Sequence, residues 1–126
     1  MDEADRNATL SFVVGDEDTA AAVGSGDLPV LSTPRVLAWA EAATCAAIRE
    51  ELKEDQTSVG TRVNLEHLVA SAVGEPVTVT ATTKHRDGRL VRFEVAATDS
   101  AGTLVAHGEV TRVVVQRERF MDRLAR

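Results

Sequence analysis

Two residues of this 126-residue chain, Glu41 and His67, fall in phase with apolar positions yet carry groups that can do chemistry, and a third, Thr33, adds a hydroxyl. Glu41 is the single charge in "VLAWAEAATCAAI", residues 36–48. It lies one helical turn from both Leu37 and Cys45, and therefore on the apolar stripe of the helix. A carboxylate buried without a partner costs several kcal/mol or takes up a proton, so this one must reach solvent or have a job. His67 is the same kind of exception in its strand, alternating in phase with Val63, Leu65 and Val69. Thr33 stands at the start of the Glu41 helix and supplies a hydroxyl. A carboxylate, an imidazole that holds or shuttles a proton, and a hydroxyl that orients either one can together carry acyl transfer. Gly60, at the start of the His67 strand, lets a backbone N–H approach a substrate carbonyl with no side chain in the way.

Each of these residues also has an ordinary structural use. Thr33 before Pro34 reads as a helix N-cap with proline in the first helical position. His67 is the type of residue that also serves as a satisfied core or interface histidine. Glu41 can snorkel to a gap, or pair with an arginine across a dimer. Gly60 can serve a bend at the start of its strand.

The elements that must position them are legible from periodicity. Residues 1–7 read as a frayed tail and "TLSFVV" as a first strand, closed by the acidic turn "GDEDT". A short helix in "TAAAV" and a glycine-rich loop in "GSGD" precede the main helix, expected from Pro34 to about Lys53. Four strands follow, in "GTRVNLEHLVA", "PVTVTATT", "LVRFEVAAT" and "TLVAHGEVTRVVVQ", and their order suggests a meander. An Asp-Gly turn in "HRDGRL" joins the second and third of these. The tail "RERFMDRLAR" reads as a short basic helix. One helix covers a five-stranded antiparallel sheet only if the sheet curls around it, and the helix must then be apolar over most of its circumference. The alanine-rich segment meets that requirement. The expected architecture is α+β, a hot-dog fold with the curved sheet wrapped around one long central helix, in one domain over residues 1–126.

Composition narrows the function classes. A net charge of −6 and a pI near 5.0 argue against a general nucleic-acid binder. One cysteine, Cys45, leaves no intrachain disulfide and no cysteine-based zinc cluster. No apolar run approaches the roughly 20 residues that span a bilayer, and the polar start "MDEADRNA" is unlike a secretory signal. A cytoplasmic protein without membrane attachment is expected. With aromatics at 3 %, the interior must come from Val, Ala, Leu and Thr, which favours an oligomer that buries more surface.

The segments "STPRVLAWAEAA", "SVGTRVNLEHLVASAVGEPVTVTAT" and "DGRLVRFEVAATDSAGTLVAHGEVTR" resemble the hot-dog thioesterases related to the fluoroacetyl-CoA thioesterase, over roughly residues 9–120. In that family a threonine at the helix start is followed eight residues later by a glutamate, as with Thr33 and Glu41. A Gly-Thr pair precedes the histidine, as Gly60 and Thr61 precede His67. A late strand carries an arginine near the coenzyme A end, and Arg112 in "GEVTR" matches it. Outside the resemblance, Arg112 is equally readable as an outward strand charge.

The resemblance implies hydrolysis of an acyl-CoA thioester by a homodimer with sites at the subunit interface, without metal or organic cofactor; pairing of dimers into tetramers is left open. Glu41 would be nucleophile or general base, His67 would assist proton transfer, and Thr33 would position the pair or the thioester. Two departures bear on this. The family's Thr-Pro after the histidine is missing from "LVASAVGE". The aromatics that cover the pocket of the fluoroacetate-specific member are replaced by "AAVGSGDLPVL", so an aliphatic acyl pocket of Val23, Leu28 and Val30 is expected. The first departure keeps a non-catalytic acyl-CoA or small-molecule binding protein in play. An enoyl-thioester hydratase fits less well, since "RVNLEH" lacks that group's Asp-x-Asn-Pro segment.

Overall fold

Valine, alanine and threonine alternation builds most of this protein. In the computed structural model, which describes residues 6–125, strand β1 (Asn7–Val13) leads through an acidic 3₁₀ turn into the short helix α1 (Ala20–Val23) and the long helix α2 (Thr33–Ile48). Strands β2 (Gln56–His67), β3 (Pro76–Asp87), β4 (Leu90–Asp99) and β5 (Leu104–Gln116) follow, and the short helix α3 (Arg117–Asp122) closes the order. All strand pairings are antiparallel, in the order β1-β3-β4-β5-β2.

Strands β3, β4 and β5 form the expected meander. β2 does not join it at β3; it crosses over and pairs with β5, because the sheet's β3 edge is already taken by β1. β2 is thus an edge strand of 12 residues, and Gly60–Asn64 of it are all exposed. Gly88, at φ +60°, opens the two-residue turn between β3 and β4, the place a type II′ hairpin assigns to glycine.

Val77, Val79 and Ala81 of β3 and Val91, Phe93 and Val95 of β4 point inward and are fully buried. They meet Val36, Trp39, Ala40, Ala43, Ala47 and Ile48 of α2, a stripe at helical spacing. Trp39 stacks on Phe12 of β1 with ring centroids 4.5 Å apart, so the two largest aromatics at this contact fasten helix to edge strand. α2 ends at Ile48 and passes into a 3₁₀ turn over the charged residues Arg49–Glu51, short of Lys53, and Leu52 packs against the core from extended backbone.

Of the expected tail, residues 1–5 lie outside the described residues. Arg6 and Asn7 are ordered instead: Asn7 pairs with Thr82, and Arg6 reaches Glu50 and Glu51 at 3.5 and 3.7 Å.

Candidate functional site

Helix α2 starts one residue earlier than its Thr-Pro pair suggests. Ser32, with extended backbone, is the N-cap, and its Oγ accepts from the Arg35 N–H at 3.1 Å. Thr33 is already helical, so its hydroxyl is released from capping. It lies 2.8 Å from His67 Nδ1, where the two atoms share one proton. The Thr33 and His67 side chains line a cavity of about 300 Å³ together with Val30, Leu31, Leu68 and Val69. Of the three residues expected around the acyl group, Val30 lines this cavity, whereas Val23 and Leu28 lie outside it, 39 % and 61 % exposed. Leu28 follows Gly24, which at φ +91° ends α1 and begins an exposed loop.

Burial lowers the pKa of His67 below its ordinary 6.5, against a weaker opposing hydrogen bond with the Val69 backbone. The neutral imidazole is the form that can accept a proton. Among the described residues its buried Nε2 has no hydrogen-bond partner of good geometry.

Glu41 has a different companion. It lies with Leu37 and Cys45 on the half-buried flank of α2, beside the fully buried stripe, and its side chain is 37 % exposed. Arg112 Nη1 approaches Glu41 Oε2 at 3.4 Å. Arg112 itself is 6 % exposed, because it alternates in phase with the buried Val110 and Val114 and so faces the helix. Its Nε donates to Ser58 Oγ at 2.9 Å and its Nη2 to the Ser58 carbonyl at 3.1 Å. Thr44 completes the cluster, donating to the Glu41 carbonyl at 2.6 Å and facing Arg112 Nη1 at 3.5 Å. Gly60 pairs with Arg112 across the sheet, and a Cβ there would collide with Glu41 Oε2.

Gly60 and His67 are an odd number of residues apart, which in a regular strand places them on opposite faces. A bulge between Gly60 and Arg62 corrects the phase, and both residues face the helix. They remain at different stations along β2, separated by about 20 Å at the usual strand rise. Thr33 and Glu41 are likewise about 12 Å apart along α2. One chain thus holds two separate polar clusters: Thr33 with His67, and Glu41 with Arg112 and Gly60.

Ser58 and Thr44 were not visible as site residues in the sequence. The phase of Arg112 with Val110 and Val114 was the available signal for an inward guanidinium that needs partners. The basic residues near the Asp-Gly turn divide: Lys84 pairs with Glu109 and Glu94, and Arg86 with Glu51, leaving Arg89. Among the described residues, no helix is long and apolar enough to cross a membrane.

Comparison with known proteins gives this geometry a context. The family model of the fluoroacetyl-CoA-specific thioesterase, FlK, matches residues 14–118. A solved structure of the fluoroacetyl-CoA thioesterase FlK is 26 % identical and superposes with a TM-score of 0.89, covering 97 % of this chain and 94 % of that one. A thioesterase superfamily member from Thermus thermophilus is 26 % identical at a TM-score of 0.88, covering 96 % and 91 %. A hot-dog-like protein from Thermanaerovibrio acidaminovorans is 26 % identical at 0.87, covering 96 % and 89 %. No curated protein matches the sequence significantly. With most of the chain under one family model and the helix-wrapping sheet in place, this protein belongs to the FlK family of hot-dog thioesterases and is a thioester hydrolase.

Proposed function

We propose that the protein hydrolyses an acyl-CoA thioester in a homodimer whose active sites each take Thr33 and His67 from one subunit and Glu41 from the other. The observation that carries this reading is the division of the site into half-sites on an open edge strand. An unpaired edge of this length is a template for another strand, and antiparallel pairing of two β2 strands centred on Asn64, with the bulge counted as one position, sets Gly60 opposite His67 of the partner subunit. The half-buried flank Leu37, Glu41 and Cys45 borders the same edge. His67 Nε2, without a hydrogen-bond partner among the described residues, then has a carboxylate within its reach.

In such a site the thioester carbonyl lies between the half-sites. Arg112 holds Glu41 Oε2, which leaves the other carboxylate oxygen to attack the carbonyl or to deprotonate a water that does. The new C–O bond forms as the C–S bond breaks. His67, held by Thr33, relays the proton of the attacking water to the departing sulfur; where Glu41 itself attacks, that water then hydrolyses the anhydride formed on Glu41 and frees the carboxylate. Backbone N–H at the Gly60 bulge is the group placed to stabilise the developing oxyanion. The aliphatic wall with Val30 supports a small aliphatic acyl group over a fluoroacetyl one. We place the reaction in the cytoplasm, where the lone Cys45 stays reduced.

Release of free thiol from a panel of acyl-CoA thioesters tests the reading. Glu41→Gln and His67→Ala are each expected to abolish release while the dimer stays folded. Full turnover in both variants would refute it. Binding of acyl-CoA by the unmodified protein with no release of thiol would favour a binding protein, the reading to which the missing Thr-Pro points.

A further inference from the structure

A second polar feature lies at the far end of β5. Arg89, from the β3–β4 turn, and Arg119 and Arg123, from the C-terminal segment, line one cavity of about 90 Å³ with Val115, Gln116 and Phe120. The chain has 20 acidic residues against 14 Lys and Arg, yet no carboxylate lines this cavity. Among the described residues none of the three arginines has an ion-pair partner. Three like charges converging without a counter-charge repel one another, so an anion is the missing element.

The backbone around the cleft is fixed before any ligand arrives. The Arg89 carbonyl accepts from the Val114 N–H at 2.9 Å, which ties the turn to β5. The Arg117 N–H donates to the Asp55 carbonyl at 2.9 Å, and Gln116 Oε1 accepts from the Arg119 N–H at 3.1 Å, which seat α3 on the end of the sheet. A cavity of this size suits a phosphate group rather than the face of a protein helix, and guanidinium forks suit phosphate oxygens. Phe120 supplies an apolar wall beside it.

The position is informative too. Val115 and Gln116 lie three and four residues beyond Arg112 on the same strand, about 10–13 Å away. The cleft is therefore on the Glu41 side of the proposed active site. We propose that it binds a phosphate of the nucleotide end of coenzyme A while the thioester occupies the site between Glu41 and His67. The inference rests on the acyl-CoA reading above and sharpens it: the protein distinguishes a coenzyme A thioester from the same acyl group on a bare pantetheine arm.

The test uses the exposed pair Arg89→Ala/Arg119→Ala, in the full chain, with adenosine 3′,5′-bisphosphate as the binding probe. The bisphosphate is expected to bind the unmodified protein and to lose about tenfold or more in affinity in the double variant. KM for acyl-CoA is expected to rise by a similar factor with kcat unchanged, and turnover of the acyl-pantetheine thioester is expected to stay as it was. Bisphosphate binding unaffected by the double substitution, or an unchanged KM for acyl-CoA, would overturn the assignment. Equal competition by inorganic phosphate would overturn it in favour of a site for free phosphate. If no thioester releases thiol, the hydrolytic reading fails, and loss of bisphosphate binding in the double variant still decides the cleft.

Discussion

Arg112 Nη1 lies 3.4 Å from Glu41 Oε2, and the remaining nitrogens of the same guanidinium are held by Ser58. Ser58 thus sets the arginine and the arginine sets the carboxylate. Arg112→Met is expected to lower kcat by at least tenfold and to cost about 2 kcal/mol of stability, since it strands Ser58 and half-buried Glu41. Arg112→Lys should keep charge but recover little turnover, because one ammonium cannot hold all four oxygens of the cluster. Paired urea melts and thiol-release kinetics check both statements; recovery of full turnover by lysine would contradict the positioning role.

Capping and chemistry are assigned to adjacent residues at the start of α2, and substitution separates them. Ser32→Ala should cost about 1 kcal/mol in thermal or urea unfolding. Thr33→Val should change stability by less than about 0.5 kcal/mol while lowering kcat, because the exposed hydroxyl serves His67 and not the helix. A Thr33→Val protein that loses stability and keeps kcat would return Thr33 to the cap.

Gly60→Ala places a methyl group against Glu41 Oε2 and should displace the carboxylate by about 1 Å. A loss of about a hundredfold in kcat/KM is expected for a misplacement of that size. Unchanged kinetics would show that Glu41 has no fixed place beside the bulge.

The lowered pKa of His67 fixes the direction of two pH effects. In the unfolded chain the imidazole protonates near 6.5, and in the fold only at lower pH. Below pH 6.5 the unfolded state therefore binds more protons, so the stability present above that pH is lost as pH falls through the folded pKa. The melting temperature should drop with acid in this window, less so in His67→Gln. The acid limb of kcat/KM should have its midpoint below 6.5; a midpoint above it would contradict a neutral, desolvated imidazole.

Much of this was legible in the residues. The alternation in β3 and β4 and the alanine-rich stripe of α2 are direct consequences of burial, and both specify the wrapped sheet. The position of β2 beside β5 was not legible, because period-2 alternation says which face is buried and nothing about which edge is free. The cap moved to Ser32 because a side chain caps only from an extended residue, and backbone conformation at that one position is invisible in the string. The pairing of Glu41 with Arg112 depended on the phase of β5, and the shared face of Gly60 and His67 on a bulge. No composition or spacing rule announces a bulge.

Glu41 and His67 acting across a subunit boundary is a relation that hybrid dimers expose. Glu41→Gln and His67→Ala homodimers, each inactive, are unfolded together, refolded and assayed for thiol release. A hybrid dimer then holds one site with both residues intact, and random pairing makes hybrids half of the population. Recovery of about a quarter of the unmodified activity is the predicted result. A mixture as inactive as its parents, with hybrid formation shown by mass, would place both residues in one chain's site and contradict the account.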